Sequence, residues 1–290
     1  MSDLKLPENN KIVGKILFAW YGGWAGYLEY QKSKKIADAM AENEANKIKI
    51  AGELEEKVIR EQIKLIESLE QADKFVEYKN LYGVLTKAVP KFQNENIDTE
   101  IDPDKLKRLK DLSKEFSSDE MQEYIAGILA GEYNNPGSYS LKTMEIIKNL
   151  TRDDINLFKK FCGLVINGFF ILSDITNNNG DDFRKANGLD YTEILYLQEL
   201  GLISFKESSL TLSTTGEGEN KFGQTIFQIG NRKLFLRFKI DKQVNIITIT
   251  NSGKELMGLL TFNIPDSYFN WINDTLNKKG FETEFLGEKN

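Results

Sequence analysis

Glu132, followed closely by Ser138, Ser140 and Lys142, is the densest grouping in this chain of a carboxylate, hydroxyls and an amine. Such a set is the raw material of general acid–base catalysis or of Mg²⁺ binding. The same residue types also cap helices and brace turns, so Glu132 is a weak catalytic candidate and no catalytic residue is assigned. The chain contains no histidine. That excludes Ser-His and Cys-His nucleophilic systems and the commonest transition-metal sites, which need an imidazole as base or ligand. Asp153 and Asp154 sit where a helix begins, and capping with the helix dipole accounts for them. The one cysteine, Cys162, lies among Phe158, Phe161 and Val165 and reads as a small core residue. The loop Asn177-Asn178-Asn179-Gly180-Asp181-Asp182 lacks the ligand spacing and terminal Glu of a calcium hand. No phosphate loop, dinucleotide fingerprint or HExxH motif occurs. No metal and no cofactor are expected.

The elements that must position Glu132 are legible around it. Ser117 and Glu120 form an S-x-x-E capping box, which predicts a helix starting near Ser118 with Ile125, Ile128 and Leu129 on its apolar face. Asn134-Asn135-Pro136-Gly137 ends it, because Pro136 has no N–H to donate and Gly137 accepts positive φ. Ser138 or Ser140 caps the next helix, whose face is Leu141, Met144, Ile147 and Leu150. Thr151-Arg152-Asp153-Asp154 starts a third helix through Phe158, Phe161 and Val165.

This stretch resembles the bacterial family catalogued as domain of unknown function 2806, in which a helix ending ILAGE leads to PGS, an aromatic residue, S, and a further helix. The matching residues are Ile128-Leu129-Ala130-Gly131-Glu132, Pro136-Gly137-Ser138-Tyr139-Ser140 and Thr143, with Tyr124 where a Trp is usual. A weaker likeness covers the charged N-terminal region and the run Ser252-Gly253-Lys254-Glu255-Leu256. The resemblance implies architecture and a bacterial or prophage setting; it brings no catalytic residues. Within it, Gly131, Glu132, Pro136, Gly137, Ser138 and Ser140 form a structural motif.

Charge narrows the partners. With 38 basic and 44 acidic residues the formal charge is −6, which argues against general nucleic-acid binding, since phosphate neutralisation needs concentrated Lys and Arg. At 290 residues the chain can hold two or three modules around a substantial core.

Towards the N-terminus, Ile16 to Leu28 is uncharged but shorter than the ~20 apolar residues of a spanning helix. It has no signal-peptide flanks. Its aromatic face, with Trp20, Tyr21, Trp24 and Tyr27, has two uses: burial against the protein or a second subunit, or contact with a membrane interface. From Lys32 to about Lys79 a proline-free, charge-alternating stretch carries a stripe of small and aliphatic residues including Ala41, Ala45, Ile48 and Leu65. A continuous helix there would reach about 70 Å at 1.5 Å per residue. This is read as a long helical arm, either protruding from the body or used for self-association. The polar segment Gln93 to Asp102 is the clearest linker, and Asp102-Pro103 is an N-cap with Pro in the first turn.

Beyond residue 176 the periodicity changes. Asp190 and Glu193 cap a helix that Gly201 terminates, and strands are expected at Ile203–Phe205, Leu210–Ser213, Thr225–Ile229, Leu234–Phe238 and Val244–Thr250. Gly230-Asn231 is a hairpin turn. Helices Ser252–Leu259 and Asp266–Asn277 and a strand Phe281–Phe285 complete the chain. The order resembles a winged helix, yet its helix Tyr191–Leu200 carries two Glu and no Lys or Arg, which would repel phosphate. Arg237 and Lys239 share one strand face and are the candidate contact for nucleic acid or an acidic partner.

The sequence is thus read as α+β, mostly α: residues 1–92 a segment with a long N-terminal helical arm, 93–175 a central helical core, and 176–290 a C-terminal winged-helix-like α/β module. The leading functional expectation is a non-enzymatic interaction or sensor protein with a protein partner or self-association, cytoplasmic or peripheral to the inner membrane. A loose likeness of layout to abortive-infection proteins suggests an anti-phage or prophage role. The alternatives are a winged-helix DNA-binding regulator and a carboxylate-dependent enzyme centred near Glu132.

Overall fold

A computed structural model describes residues 11–20, 73–74, 76–93, 101–173, 183–216, 218 and 221–286. The fold is α+β, and its contacts divide into two compact units, Met1–Met144 and Glu145–Asn290.

The first unit is helical among its described residues. Helix α1 (Lys11–Trp20) buries Ile12, Val13, Ile16 and Trp20, the i, i+1, i+4, i+8 stripe of one helix face. Helix α2, described over 76–88, buries Leu81, Val84, Leu85 and Ala88 completely and so continues past Lys79, where the charged pattern of the arm stops. It tightens into a 3₁₀ turn, Val89–Lys91, at Pro90. Helix α3 (Pro103–Glu115) starts as its sequence dictates: the Asp102 carboxylate accepts from the amides of Asp104 at 2.9 Å and Lys105 at 3.1 Å, with Pro in the first turn. Helix α4 (Asp119–Asn134) is the centre of the unit, buried on nearly all sides through Tyr124, Ile125, Ile128, Leu129 and Tyr133. Each such aliphatic side chain contributes about 1.5–3 kcal/mol by leaving water.

One cap is displaced from its expected place. Ser118, not Ser117, caps α4, its hydroxyl accepting from the amide of Met121. Ser117 instead accepts from the Asn80 amide group at 3.1 Å, a contact to a distant helix that outbids the local box. Glu120 accepts from the hydroxyl of Tyr124 at 2.7 Å rather than completing a box.

Helix α5 (Leu141–Asn149) spans the division between units and buries Met144 and Ile147. In the second unit, helix α6 (Arg152–Cys162) begins with the full Thr151/Asp154 capping box. It stops at Gly163, so Val165 lies beyond it in a turn rather than on the helix. A strand follows that helical periodicity had hidden: β1 (Phe170–Leu172), entirely buried. Helix α7 (Tyr191–Glu199) is capped by Asp190 and closed by Gly201, whose φ is +76°.

Strand β2 (Ile203–Leu212) is one strand where two were expected, because the polar Lys206-Glu207-Ser208-Ser209 stretch is carried by a register shift between Ser204 and Ser208. Strands β3 (Gly223–Ile229), β4 (Arg232–Phe238) and β5 (Lys242–Ile249) follow, then helix α8 (Asn251–Met257), helix α9 (Asp266–Lys278) and strand β6 (Glu282–Leu286). Among the described residues these strands form two three-stranded antiparallel sheets, in the orders β1-β5-β2 and β3-β4-β6. The Gly230-Asn231 turn joins β3 and β4 with Ile229 opposite Arg232.

Candidate functional site

Glu132 occupies the last turn of α4 and is 1% exposed. Burial of a carboxylate is costly unless every oxygen is satisfied, and here both are. Oε1 accepts from the Tyr139 amide at 2.6 Å and from Lys105 Nζ at 3.0 Å. Oε2 accepts from the Gly137 amide at 3.1 Å and from Lys105 at 3.1 Å. The carboxylate therefore holds the turn that follows its own helix, and Lys105, reaching over from α3, neutralises it.

The rest of the motif completes that turn. Gly137 has φ +94°, which an L side chain rarely adopts. The Ser138 hydroxyl donates to the Asn135 carbonyl at 2.6 Å. Ser140, the alternative that the structure selects, caps α5: its hydroxyl accepts from the Thr143 amide at 3.2 Å and shares a hydrogen bond with the Thr143 hydroxyl at 2.9 Å. Asn134 extends the arrangement outward, donating to the Lys91 carbonyl at 2.9 Å and accepting from the Gln93 amide at 2.8 Å. Gly131 leaves room for the Tyr139 ring. Gly131, Glu132, Pro136, Gly137, Ser138 and Ser140 are thus brought together as a brace. Lys142 is exposed on the first turn of α5, and Lys105 rather than Lys142 is the amine that bonds Glu132.

Lys105 is the member that sequence reasoning missed. Its only local signal was its place in the first turn of α3, and nothing there names a partner 27 residues away.

Among the other candidates, Trp20 is 5% exposed and its indole N–H donates to the Leu106 carbonyl at 2.8 Å. Its ring is buried within the first unit. Lys110 donates to the Trp20 carbonyl, and burial lowers its pKa. Tyr21, Trp24 and Tyr27, and the stripe from Lys32 to residue 72, lie outside the described residues, as does the loop Asn177–Asp182. Cys162 is buried, and desolvation pushes its thiol far above the usual range. Arg237 is exposed on β4, its guanidinium over the Phe235 ring at 4.9 Å, and Lys239 is exposed just past the strand.

A second polar centre lies in the other unit. Asp154 is buried, which opposes its ionisation, yet the Thr151 amide at 2.7 Å, the Thr151 hydroxyl at 2.7 Å and the Tyr196 hydroxyl at 2.8 Å outweigh that and hold its pKa low. The same bond raises the pKa of Tyr196. This arrangement ties α6 to α7.

A family model described as Protein of unknown function (DUF2806) matches residues 66–273. No curated protein and no solved structure matches the chain.

Proposed function

The chain belongs to that family, DUF2806, and from this premise we propose that it is a non-enzymatic interaction or sensor protein that works through its surfaces, with a role in excluding phage. The observation that carries the reading is the engagement of Glu132. The strongest candidate for chemistry has both oxygens committed to Lys105 and to the amides of Gly137 and Tyr139. A general base with no free lone pair aimed at solvent is poorly suited to proton transfer, so the work of this turn is to hold α4, α5 and α3 in place. Function is then sought in what the helices carry. The aromatic segment with Tyr21, Trp24 and Tyr27, and the long helical arm, are the proposed means of self-association or of contact with a membrane surface from the cytoplasm. The winged-helix-like reading of the C-terminal module belongs to the same proposal as a protein-contact device, because Glu193 and Glu199 on α7 disfavour a DNA backbone.

The test compares the full chain with a full chain carrying Tyr21→Ser, Trp24→Ser and Tyr27→Ser. Sedimentation and flotation with anionic liposomes should show an oligomer or a floating fraction that the triple variant loses. Equal mass and no flotation for both would refute the arm's proposed uses. Phage plating on cells expressing Glu132→Gln, corrected for protein level, separates the enzyme alternative: loss of protection at an undiminished amount of folded protein would favour catalysis.

A further inference from the structure

The outer face of the β3-β4-β6 sheet carries charge in a pattern that fits a copy of itself. Residues alternate along each strand, so that Leu234, Leu236, Phe227 and Ile229 are buried while the intervening side chains point outward. The outward rows are set by the pairing: Arg237 stands between Gln224 and Glu282, Phe235 between Ile226 and Glu284, and Lys233 between Gln228 and Leu286. The central strand thus displays a column of cations, Lys233 and Arg237, and the edge strand β6 a column of carboxylates, Glu282 and Glu284.

Cross-strand neighbours of opposite charge commonly pair, but these do not. No ion pair joins the four to one another or to another described residue, and Arg237 lies over Phe235 instead. Between and beside the charges the face is apolar and open: Ile226 is 43% exposed and Leu286 42%.

We infer that this face is the contact of a symmetric homodimer, with β4 of one copy lying over β6 of the other. A two-fold axis in the plane of the contact, parallel to the strands and midway between β4 and β6, exchanges the two columns. It brings Arg237 of each copy over Glu282 of its mate, and it does so twice, as a two-fold contact requires. Neither a purely acidic nor a purely basic partner would satisfy both columns. A second copy sets Arg237 against Glu282 at both symmetric positions and covers Phe235 and Leu286, with Lys233 of the mate over Leu286, Phe235 of the mate over Glu284, and β3 at the rim. Two overlapping strands about 4.8 Å apart and three rows about 6.8 Å apart make a contact of only a few hundred Å² at most, below the ~800 Å² per partner of a standard interface. The dimer is accordingly reversible and salt-sensitive. The inference does not depend on the N-terminal arm.

The experiment is sedimentation equilibrium of the full chain between roughly 1 and 200 μM, with the single variants Arg237→Glu and Glu282→Arg and their equimolar mixture. Wild type should dimerise with concentration. Each variant alone places like charges in register and should associate at least about tenfold more weakly. Mixed together, the two variants restore opposite charges at both symmetric positions and should form a heterodimer. All four residues are exposed, and an unchanged urea midpoint for each variant shows that folding is not the cause. A wild type that stays monomeric, an Arg237→Glu chain that associates like wild type, or a mixture that fails to associate would each overturn the inference. A mass insensitive to Arg237→Glu but lowered by the Tyr21, Trp24 and Tyr27 substitutions would sink this face while leaving the arm reading standing.

Discussion

The ring of Tyr139 occupies the space that a β-carbon on Gly131 would need: an ideal Cβ there would lie 2.4 Å from Tyr139 Cε2. The adjoining residue, Glu132, accepts the Tyr139 backbone amide. One helix end therefore grips the same aromatic residue twice, sterically through a missing side chain and electrostatically through a carboxylate.

Gly131→Ala is expected to destabilise the protein by about 1–3 kcal/mol through overpacking, although alanine is intrinsically the better helix former by up to about 1 kcal/mol. In a double-mutant cycle the cost should largely vanish on a Tyr139→Ser background, because the obstructing ring is gone. Additive costs in urea denaturation would show that the ring is not the obstacle.

Glu132→Gln should cost about 3 kcal/mol, since it leaves Lys105 without its counter-charge and turns an amide N–H toward the donors of Gly137 or Tyr139. Lys105→Met should cost a comparable amount by stranding a carboxylate that is 1% exposed. The checking measurement is the urea midpoint of each variant and of the pair; a double variant no worse than either single one is the expected signature of a shared interaction.

The Asp154 centre makes stability depend on pH in a defined direction. Its pKa is lower folded than unfolded, so its contribution is complete above the ordinary aspartate pKa of about 4 and is lost as pH falls through the folded value. Asp154→Asn should therefore be less stable than wild type at neutral pH, and the gap should close on acidification towards pH ~2. A gap that stays constant with pH would rule the carboxylate charge out as its origin.

Gly253→Ala tests a close approach in the second unit. A Cβ there would lie 2.2 Å from the Leu202 carbonyl oxygen, which is backbone and cannot swing aside. Thr250 fixes the same place, capping α8 through the Gly253 amide at 3.0 Å while donating to the Gly201 carbonyl at 2.7 Å. The substitution should destabilise by roughly 1–3 kcal/mol or more, measured as a lower thermal midpoint; an unchanged midpoint would mean that α8 can shift away from Leu202 at little cost.

Much of the local chemistry was legible in the sequence. Asp102-Pro103, Thr151 with Asp154, Asp190, Gly201 and the Gly230-Asn231 turn each do what their type and spacing dictate, because caps and tight turns are satisfied within four or five residues. The family itself was legible as well. What depended on distant segments was not. Ser117 gave up its cap to Asn80, and the helix through Phe158 ended at Gly163, beside the Asn263 carbonyl. Phe170–Leu172 became a strand only because β5 offers its edge, pairing Phe170 with Thr248. Glu132 was visible as a polar group but not as a satisfied one, because its neutralising Lys105 lies on another helix. The sequence by itself determined those caps and turns that are satisfied within a few residues, such as Asp102, Thr151 with Asp154, Asp190 and Gly230-Asn231. The tertiary structure alone decided which carboxylate is spent on the fold and which charges on β4 and β6 remain unpaired, since burial and long-range pairing are properties of the packed chain and not of any short window.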